Sequence, residues 1–310
     1  MNLVNEYTKL NNSFDKTLLF GVGLKAGFYS EINNMILGVL YCLQNKIQFN
    51  LQSLDANFGY KNGWADYFEP FSTEKNKHHL AQYNYRMPMH VPKYNSWQKQ
   101  KISGLKKWHK VDFFTYELFD LIRNRENEKI HYDFPTLGIK GDILDATAKI
   151  IDLVYRPNAE VLAYINQKKK EIALPSDYIG FHIRGGDKFL EHDLLDADNY
   201  FKAAEELSGI RKAFILTDDF AIFEKIQQKY PHWQCFTITD KDESGYFHES
   251  FKDLKPEVKK SKIMNLIASI ELLSEAEVTF CTYSSNVGMF LKMRNKNRTF
   301  GIDLPSWQIW

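Results

Sequence analysis

Cysteine is scarce in this sequence. Cys42, Cys235 and Cys281 are the only three in 310 residues. They stand far apart, form no CxxC pair and join no histidine at metal-ligand spacing. A disulfide framework and a cysteine-built metal site are therefore not expected, and the pattern fits a reducing compartment. An excess of charge of one sign is missing too, with Lys+Arg 40 against Asp+Glu 39 and a formal net charge of +1. That balance argues against a general nucleic-acid or polyanion binder, although it leaves room for a local anion pocket. Long hydrophobic runs are lacking. Met35 to Leu43 is the longest of note, far short of the roughly 20 residues a membrane-spanning helix requires. The opening stretch, Met1 to Lys16, is polar, without the basic and then apolar pattern of a secretory signal. The expectation is a soluble cytoplasmic protein, with association at a membrane surface left open. There is no internal repeat, no low-complexity tract and no GxxxxGK, which sets aside a P-loop nucleotidase. Aromatic residues, at 15%, are plentiful. They suit either a large core or a stacking surface for sugars or bases.

The pattern along the chain is strand then helix, repeated. Leu18-Leu19-Phe20 reads as a short buried strand entering a turn with Gly21, Gly23 and Gly27. A helix follows over Ile32 to Leu43 with Ser30 as a plausible N-cap, then a strand near Ile47 to Leu51. From about Asn57 to Trp108 the pattern is irregular, rich in Tyr, His, Asn and Pro. That is long for a structureless loop, so short helices or a functional surface are expected there. Helical periodicity returns over Phe113 to Arg125 and Ile143 to Tyr155, with a stop or kink at Arg156-Pro157. In the second half, strands are expected at Tyr178 to Arg184, Ala213 to Leu216, Trp233 to Ile238 and Val278 to Cys281. Helices lie between them, the longest over Val258 to Leu273. This alternation predicts an α/β fold with parallel sheets covered on both faces. The charged stretch from Gln167 to Ser176 marks the boundary between a domain of residues 1–170 and a second of residues 171–310.

Polar groups cluster just after the strands, where open α/β sheets bind ligands. His182-Ile183-Arg184-Gly185-Gly186-Asp187-Lys188 is the most informative segment. His182 and Arg184 point to the same side of a strand. The two glycines let the backbone turn and a ligand approach. Cations and free N–H groups around one turn suit a diphosphate, which arginine can grip bidentately. On spacing alone the same residues also fit an Arg–Asp pair closing a turn. Glu191, His192 and Asp193 come next, placed for a general base or for a solvated loop. Thr217-Asp218-Asp219 ends a strand. Asp219 fits a plain N-cap; either aspartate also fits a group that orders an anion-binding loop or meets a ligand hydroxyl. Thr282-Tyr283-Ser284-Ser285 ends a strand and opens a helix, fit for a phosphate or for an ordinary serine cap. Gly21, Gly23 and Gly27 fall one residue off the dinucleotide fingerprint, yet Gly27 suits a loop admitting a phosphate or sugar. Asp196-x-Asp198 and Asp240-x-Asp242 could bind a divalent metal beside a nucleotide diphosphate, but helix capping and a polar loop account for them better. The histidines His78, His79 and His90 lack zinc-ligand spacing, and the runs Lys168-Lys169-Lys170 and Lys259-Lys260 read as solvated faces.

In series, the motifs at 182–188, 217–219 and Cys281-Thr282-Tyr283-Ser284-Ser285 resemble those of the alpha-1,6-fucosyltransferases, the core-fucosylation enzymes and their rhizobial chitin-oligosaccharide relatives. That family reads His-Val-Arg-Arg-x-Asp-Lys, Thr-Asp-Asp and Cys-Thr-Phe-Ser-Ser in the same order. Gly27-Phe28, Tyr41-Cys42-Leu43, Gly63-Trp64, Phe68-Glu69-Pro70 and the loop from Ser244 to His248 are similar too, so the resemblance spans most of the chain. It implies a GT-B architecture, two Rossmann-like domains facing a cleft. It also implies an inverting, metal-independent transfer of fucose from GDP-fucose to a glycan hydroxyl. The partners would be a GDP-sugar donor and an oligosaccharide or glycoconjugate acceptor, with no resident cofactor, no metal and no nucleic acid.

By position, Arg184 would hold the β-phosphate with His182 near the nucleotide, Lys188 would neutralise leaving-group charge, and Asp187 would orient the site or the acceptor. Ser284 and Ser285 would meet the diphosphate, and Gly27, Asp218 and Asp219 would complete the donor site. Glu191 matches the family's catalytic glutamate if the loop is one residue shorter, whereas His192 occupies the ungapped position. Gly185 replaces the family's second arginine, and Ser269 stands where the family has an aspartate near the guanine. No stem, membrane anchor or SH3-like domain is evident, which suggests a minimal catalytic core of bacterial or viral type. Two other readings stay open: a metal-dependent glycosyltransferase using another nucleotide sugar through Asp196-x-Asp198, and a non-catalytic nucleotide-sugar or glycan-binding protein.

Overall fold

The computed structural model describes residues 2–23, 26–75, 77–185, 197–245, 251 and 253–309. The chain forms two compact units, residues 1–158 with 309–310 and residues 159–308. This division falls before the expected 170/171 boundary. The helix carrying Lys168-Lys169-Lys170 belongs to the second unit, where Lys169 pairs with Glu275 and Lys260 pairs with Glu160 at 2.6 Å. At the other end, the Ile309 N–H donates to Glu128 in the first unit at 2.8 Å.

In the first unit, helix α1 (Leu3–Asn12) leads into strand β1 (Lys16–Gly21), helix α2 (Phe28–Gln44) and strand β2 (Ile47–Gln52). With β3 (Phe113–Phe114) they give a parallel sheet in the order β2-β1-β3. Leu18, Leu19 and Phe20 are wholly buried at its centre, as a strand packed on both faces requires. Helix α2 starts earlier than expected. Gly27, not Ser30, occupies its N-cap, and the Ser30 hydroxyl instead accepts a hydrogen bond from Arg86 at 2.9 Å.

Much of the aromatic content is core. Trp64 stacks on Phe68 with ring centroids 4.3 Å apart, and Phe28 meets Phe58 edge-on at 4.9 Å. Gly63 precedes this cluster at φ +61°, where a Cβ would stand 2.4 Å from the Ser53 carbonyl oxygen, so only glycine fits. The 57–112 region holds more order than its composition suggested. It contains α3 (His78–Ala81) and the 13-residue helix α4 (Ser96–Trp108), opened by a capping box between Asn95 and Gln98. Ile102 is the one fully buried residue of α4, so its apolar stripe is faint in the sequence. Phe113-Phe114, expected as helix, is extended and precedes α5 (Thr115–Ile122). A short antiparallel pair, β4 (Tyr132–Phe134) and β5 (Ile139–Gly141), then leads to α6 (Ile143–Val154).

The second unit runs α7 (Ala159–Glu171), β6 (Ile179–His182), α8 (Ala197–Leu207), β7 (Lys212–Leu216), α9 (Phe220–Lys229), β8 (Gln234–Phe236), α10 (Pro256–Glu275), β9 (Val278–Cys281), α11 (Asn286–Arg294) and β10 (Thr299–Gly301). The five strands form one parallel sheet in the order β10-β9-β6-β7-β8. The edge strand β10 was not apparent in the sequence. Ile179 of β6 pairs with Ala213 of β7 on one side and Val278 of β9 on the other. Phe181, Phe201, Trp233 and Phe280 form the aromatic centre of the core.

Candidate active site

Strand β6 sits in the middle of the second sheet, and the strand order reverses there. The chain moves outward through β7 and β8, then returns to the other side of β6 as β9 and β10. The carboxyl ends of the strands beside such a reversal form the ligand crevice of an open α/β sheet. His182 ends β6, Thr217-Asp218-Asp219 follow β7, and Thr282 to Ser285 follow β9. The fold thus brings together three of the sequence motifs.

His182 is 3% exposed. Burial, reinforced by the neighbouring Arg184 cation, pushes its pKa down to about 3, so the imidazole is neutral near pH 7. Its Nδ1 is buried and has no hydrogen-bond partner among the described residues, and the Thr282 Oγ1 beyond the adjacent strand β9 is in the same condition. Buried polar atoms of this kind call for a partner, which a water, an ion or a ligand can supply. Thr282 drew no separate role in the sequence because a threonine after a strand is unremarkable.

The two aspartates divide their roles. Asp218 Oδ1 accepts the backbone N–H of Gly185 at 2.6 Å, and the Asp218 carbonyl accepts the N–H of Gly245 at 2.7 Å. It therefore ties the turn after β6 to the loop before residue 246. Asp219 caps α9, its carboxylate accepting from the Ala221 N–H at 2.9 Å. The plain capping reading thus holds for Asp219, while Asp218 orders the turn. Gly185 packs directly on these groups. A Cβ there would stand 3.0 Å from Ile222 Cδ1 and 3.2 Å from the Asp219 Cβ.

At the end of β9, Ser285 is the N-cap of α11 and is buried. Its hydroxyl donates to the Thr282 carbonyl at 2.8 Å and accepts from the Gly288 N–H at 2.9 Å. Both of its bonding roles are thus used within the loop, and Ser285 shapes the helix N-terminus. Ser284 is half-buried. Asp303, which the sequence did not single out, accepts the N–H groups of Tyr283 at 2.7 Å and Ser284 at 3.0 Å. Two amides that an anion could have used therefore already serve a carboxylate. No local pattern announces Asp303; it reaches the loop only because β10 pairs beside β9.

Gly27 lies in the first unit as the cap of α2, with open space where its Cβ would be. Asp187, Lys188, Glu191 and His192 lie outside the described residues, as does His248. So does Asp196, while Asp198 pairs with Lys229 at 2.6 Å and accepts a hydrogen bond from the Tyr230 hydroxyl. Among the described residues no group of three or more His, Cys, Asp or Glu side chains is placed to hold a metal ion. Cys42 and Cys281 are buried and Cys235 partly so, all as free thiols.

Residues 146–290 match the family model described as "Alpha-(1,6)-fucosyltransferase N- and catalytic domains". That stretch contains β6, β7 and β9 with their loops. Solved structures align over nearly the whole chain. NodZ fucosyltransferase from Bradyrhizobium aligns with a TM-score of 0.55 and 13% identity, over 94% of this chain and 98% of that one. A NodZ alpha-1,6-fucosyltransferase crystal soaked with GDP-fucose gives 0.53 and 13%, over 90% and 92%. An Arabidopsis thaliana FUT1 variant in complex with GDP gives 0.51 and 12%, over 94% and 71%. At such identities the structural likeness speaks for the fold, and the fold is GT-B. The matched stretch is similar to the catalytic domain of the alpha-1,6-fucosyltransferases, and the comparisons support a glycosyltransferase. No helix of the described residues is long and apolar enough to cross a membrane.

Proposed function

We propose that this enzyme transfers fucose from GDP-fucose to a hydroxyl of an oligosaccharide or glycoconjugate, inverting the anomeric centre and using no metal. The observation that carries the proposal is the strand-end constellation of the second unit. The turn after His182 and Arg184 is fixed by Asp218, and buried polar atoms of His182 and Thr282 that lack a partner among the described residues lie at neighbouring strand ends. The family-model match over this stretch supports it, as does the structural likeness to NodZ, whose crystal was soaked with GDP-fucose.

In the proposed reaction the acceptor oxygen attacks the anomeric carbon as the bond from that carbon to the β-phosphate oxygen breaks, and GDP leaves. Negative charge grows on the β-phosphate in this step. Arg184, Lys188 and the N-terminus of α11 would offset it. Glu191 would take the acceptor's proton, and Asp187 would orient the site. Ser284 would meet the diphosphate with its hydroxyl. We place the reaction in the cytoplasm, a setting supported by the free thiols.

Calorimetry tests the donor. GDP is expected to bind without added metal and in preference to UDP and ADP, and GDP-fucose to turn over on a glycan acceptor panel in the presence of EDTA. Arg184→Ala leaves diphosphate charge unpaired and is expected to weaken GDP binding by roughly 1.5–3 kcal/mol. Undiminished GDP affinity in that variant would remove the anchor of the proposal.

A further inference from the structure

We infer that the first unit carries a binding site for an acidic oligosaccharide, in a lysine-lined hollow beside α4. The near-neutral total charge conceals a strong segregation. From Lys75 to Lys110 there are nine Lys or Arg residues and no Asp or Glu. Folding gathers these cations from separate segments. Lys75 precedes α3, Lys93 precedes α4, Lys99, Lys106 and Lys107 lie on α4, and Lys110 follows it. All six line one concavity of about 1300 Å³.

Few of these charges are neutralised. Lys106 pairs with Glu117 at 2.7 Å. Lys75, Lys93, Lys99, Lys107 and Lys110 make no ion pair among the described residues. Two further carboxylates, Asp15 and Asp112, share the rim, and Asp112 is already accepting the Thr17 N–H at 2.8 Å. Burial, and to a lesser degree the nearby Lys110, holds the Lys75 pKa below its usual value.

Concavity and aromatic rings select the ligand class. Cations converging around a hollow suit a flexible chain bearing several negative groups, whereas a bilayer offers a plane. Tyr94 and Tyr116 line the hollow. Their partly exposed rings, beside the lysines, offer stacking surface to sugar faces. The choice of a saccharide over other polyanions rests on the proposed glycan-modifying activity.

The test is calorimetry on the full chain with a heparin-derived hexasaccharide, an oligogalacturonate hexamer and neutral chitohexaose. Phosphatidylserine vesicles and a single-stranded oligonucleotide serve as competing polyanions, and GDP is titrated separately. An acidic hexamer is expected to bind at least tenfold more tightly than chitohexaose, with affinity falling steeply between about 50 and 200 mM salt. The exposed triple variant Lys93→Glu/Lys99→Glu/Lys107→Glu is expected to lose about tenfold or more of that affinity while keeping the parent's GDP affinity. The milder Lys99→Gln/Lys107→Gln pair should show an intermediate loss and guards against misfolding of the triple variant. Equal binding of chitohexaose, unchanged affinity in both variants, or binding of vesicles or oligonucleotide without either acidic hexamer would overturn the inference. Failure of GDP to bind, with the acidic hexamers still bound, would instead count against the fucosyl-transfer proposal alone.

Discussion

The backbone N–H of Gly185 donates to Oδ1 of Asp218 at 2.6 Å, joining the turn after β6 to the end of β7. Arg184 precedes that turn, so Asp218 positions the residue proposed to hold the β-phosphate. Asp218→Ala is expected to lower unfolding free energy by about 1–3 kcal/mol, because it orphans a partly buried donor. GDP affinity should fall about tenfold as the turn loosens. Asp218→Asn keeps an acceptor and should stay within about threefold of the parent. Chemical denaturation and calorimetry check both, and equal behaviour of the two variants would remove the tether's role.

Ser284 and Ser285 should separate into binding and structural effects. Ser285→Ala removes the cap of α11 and is expected to cost about 1 kcal/mol of stability, visible in a thermal melt as a shift of about 2–4 °C. Ser284→Ala should leave the melt unchanged while weakening GDP binding about tenfold, the loss of one hydrogen bond to a charged group. A destabilised Ser284→Ala with parental GDP affinity would reverse these assignments.

His182 predicts an acid-sensitive fold. Its folded pKa, about 3, lies below the unfolded value of about 6.5. The unfolded chain therefore takes up a proton first as pH falls. The contribution is complete above about pH 6.5 and is lost progressively toward pH 3. Between pH 7 and pH 5 the parent should lose about 2 kcal/mol from this group. His182→Gln should lack that loss, so urea-unfolding free energies at pH 7, 6 and 5 should fall less steeply. Parallel pH dependences in the two proteins would show that the imidazole titrates normally.

The general base is assigned by kinetics. Glu191→Gln is expected to leave GDP binding intact and to slow transfer by about 10²–10⁴-fold. His192→Ala should be milder. A dead His192→Ala beside an active Glu191→Gln would make the histidine the base.

Unaided, the sequence determined the α/β class and nearly every strand and helix of the second unit. Buried parallel strands are continuous apolar runs bounded by turn residues, and such patterns are local. It also determined which strand ends carry polar groups, from His182-Ile183-Arg184 to Ser284-Ser285. It did not reveal α4, whose single buried residue leaves little periodicity, or β10, three residues long. Tertiary structure decided what each polar group does. Asp218 and Asp219 are adjacent and chemically alike, yet one holds Gly185 and the other caps a helix. Asp303 meets Tyr283 and Ser284 only because β10 and β9 are neighbours in the sheet. The nine cations between Lys75 and Lys110 are plain in the sequence, but only the folded chain turns six lysines toward one hollow. Hydrogen bonding and charge act over a few ångströms of space, and chain separation does not fix which groups come that close.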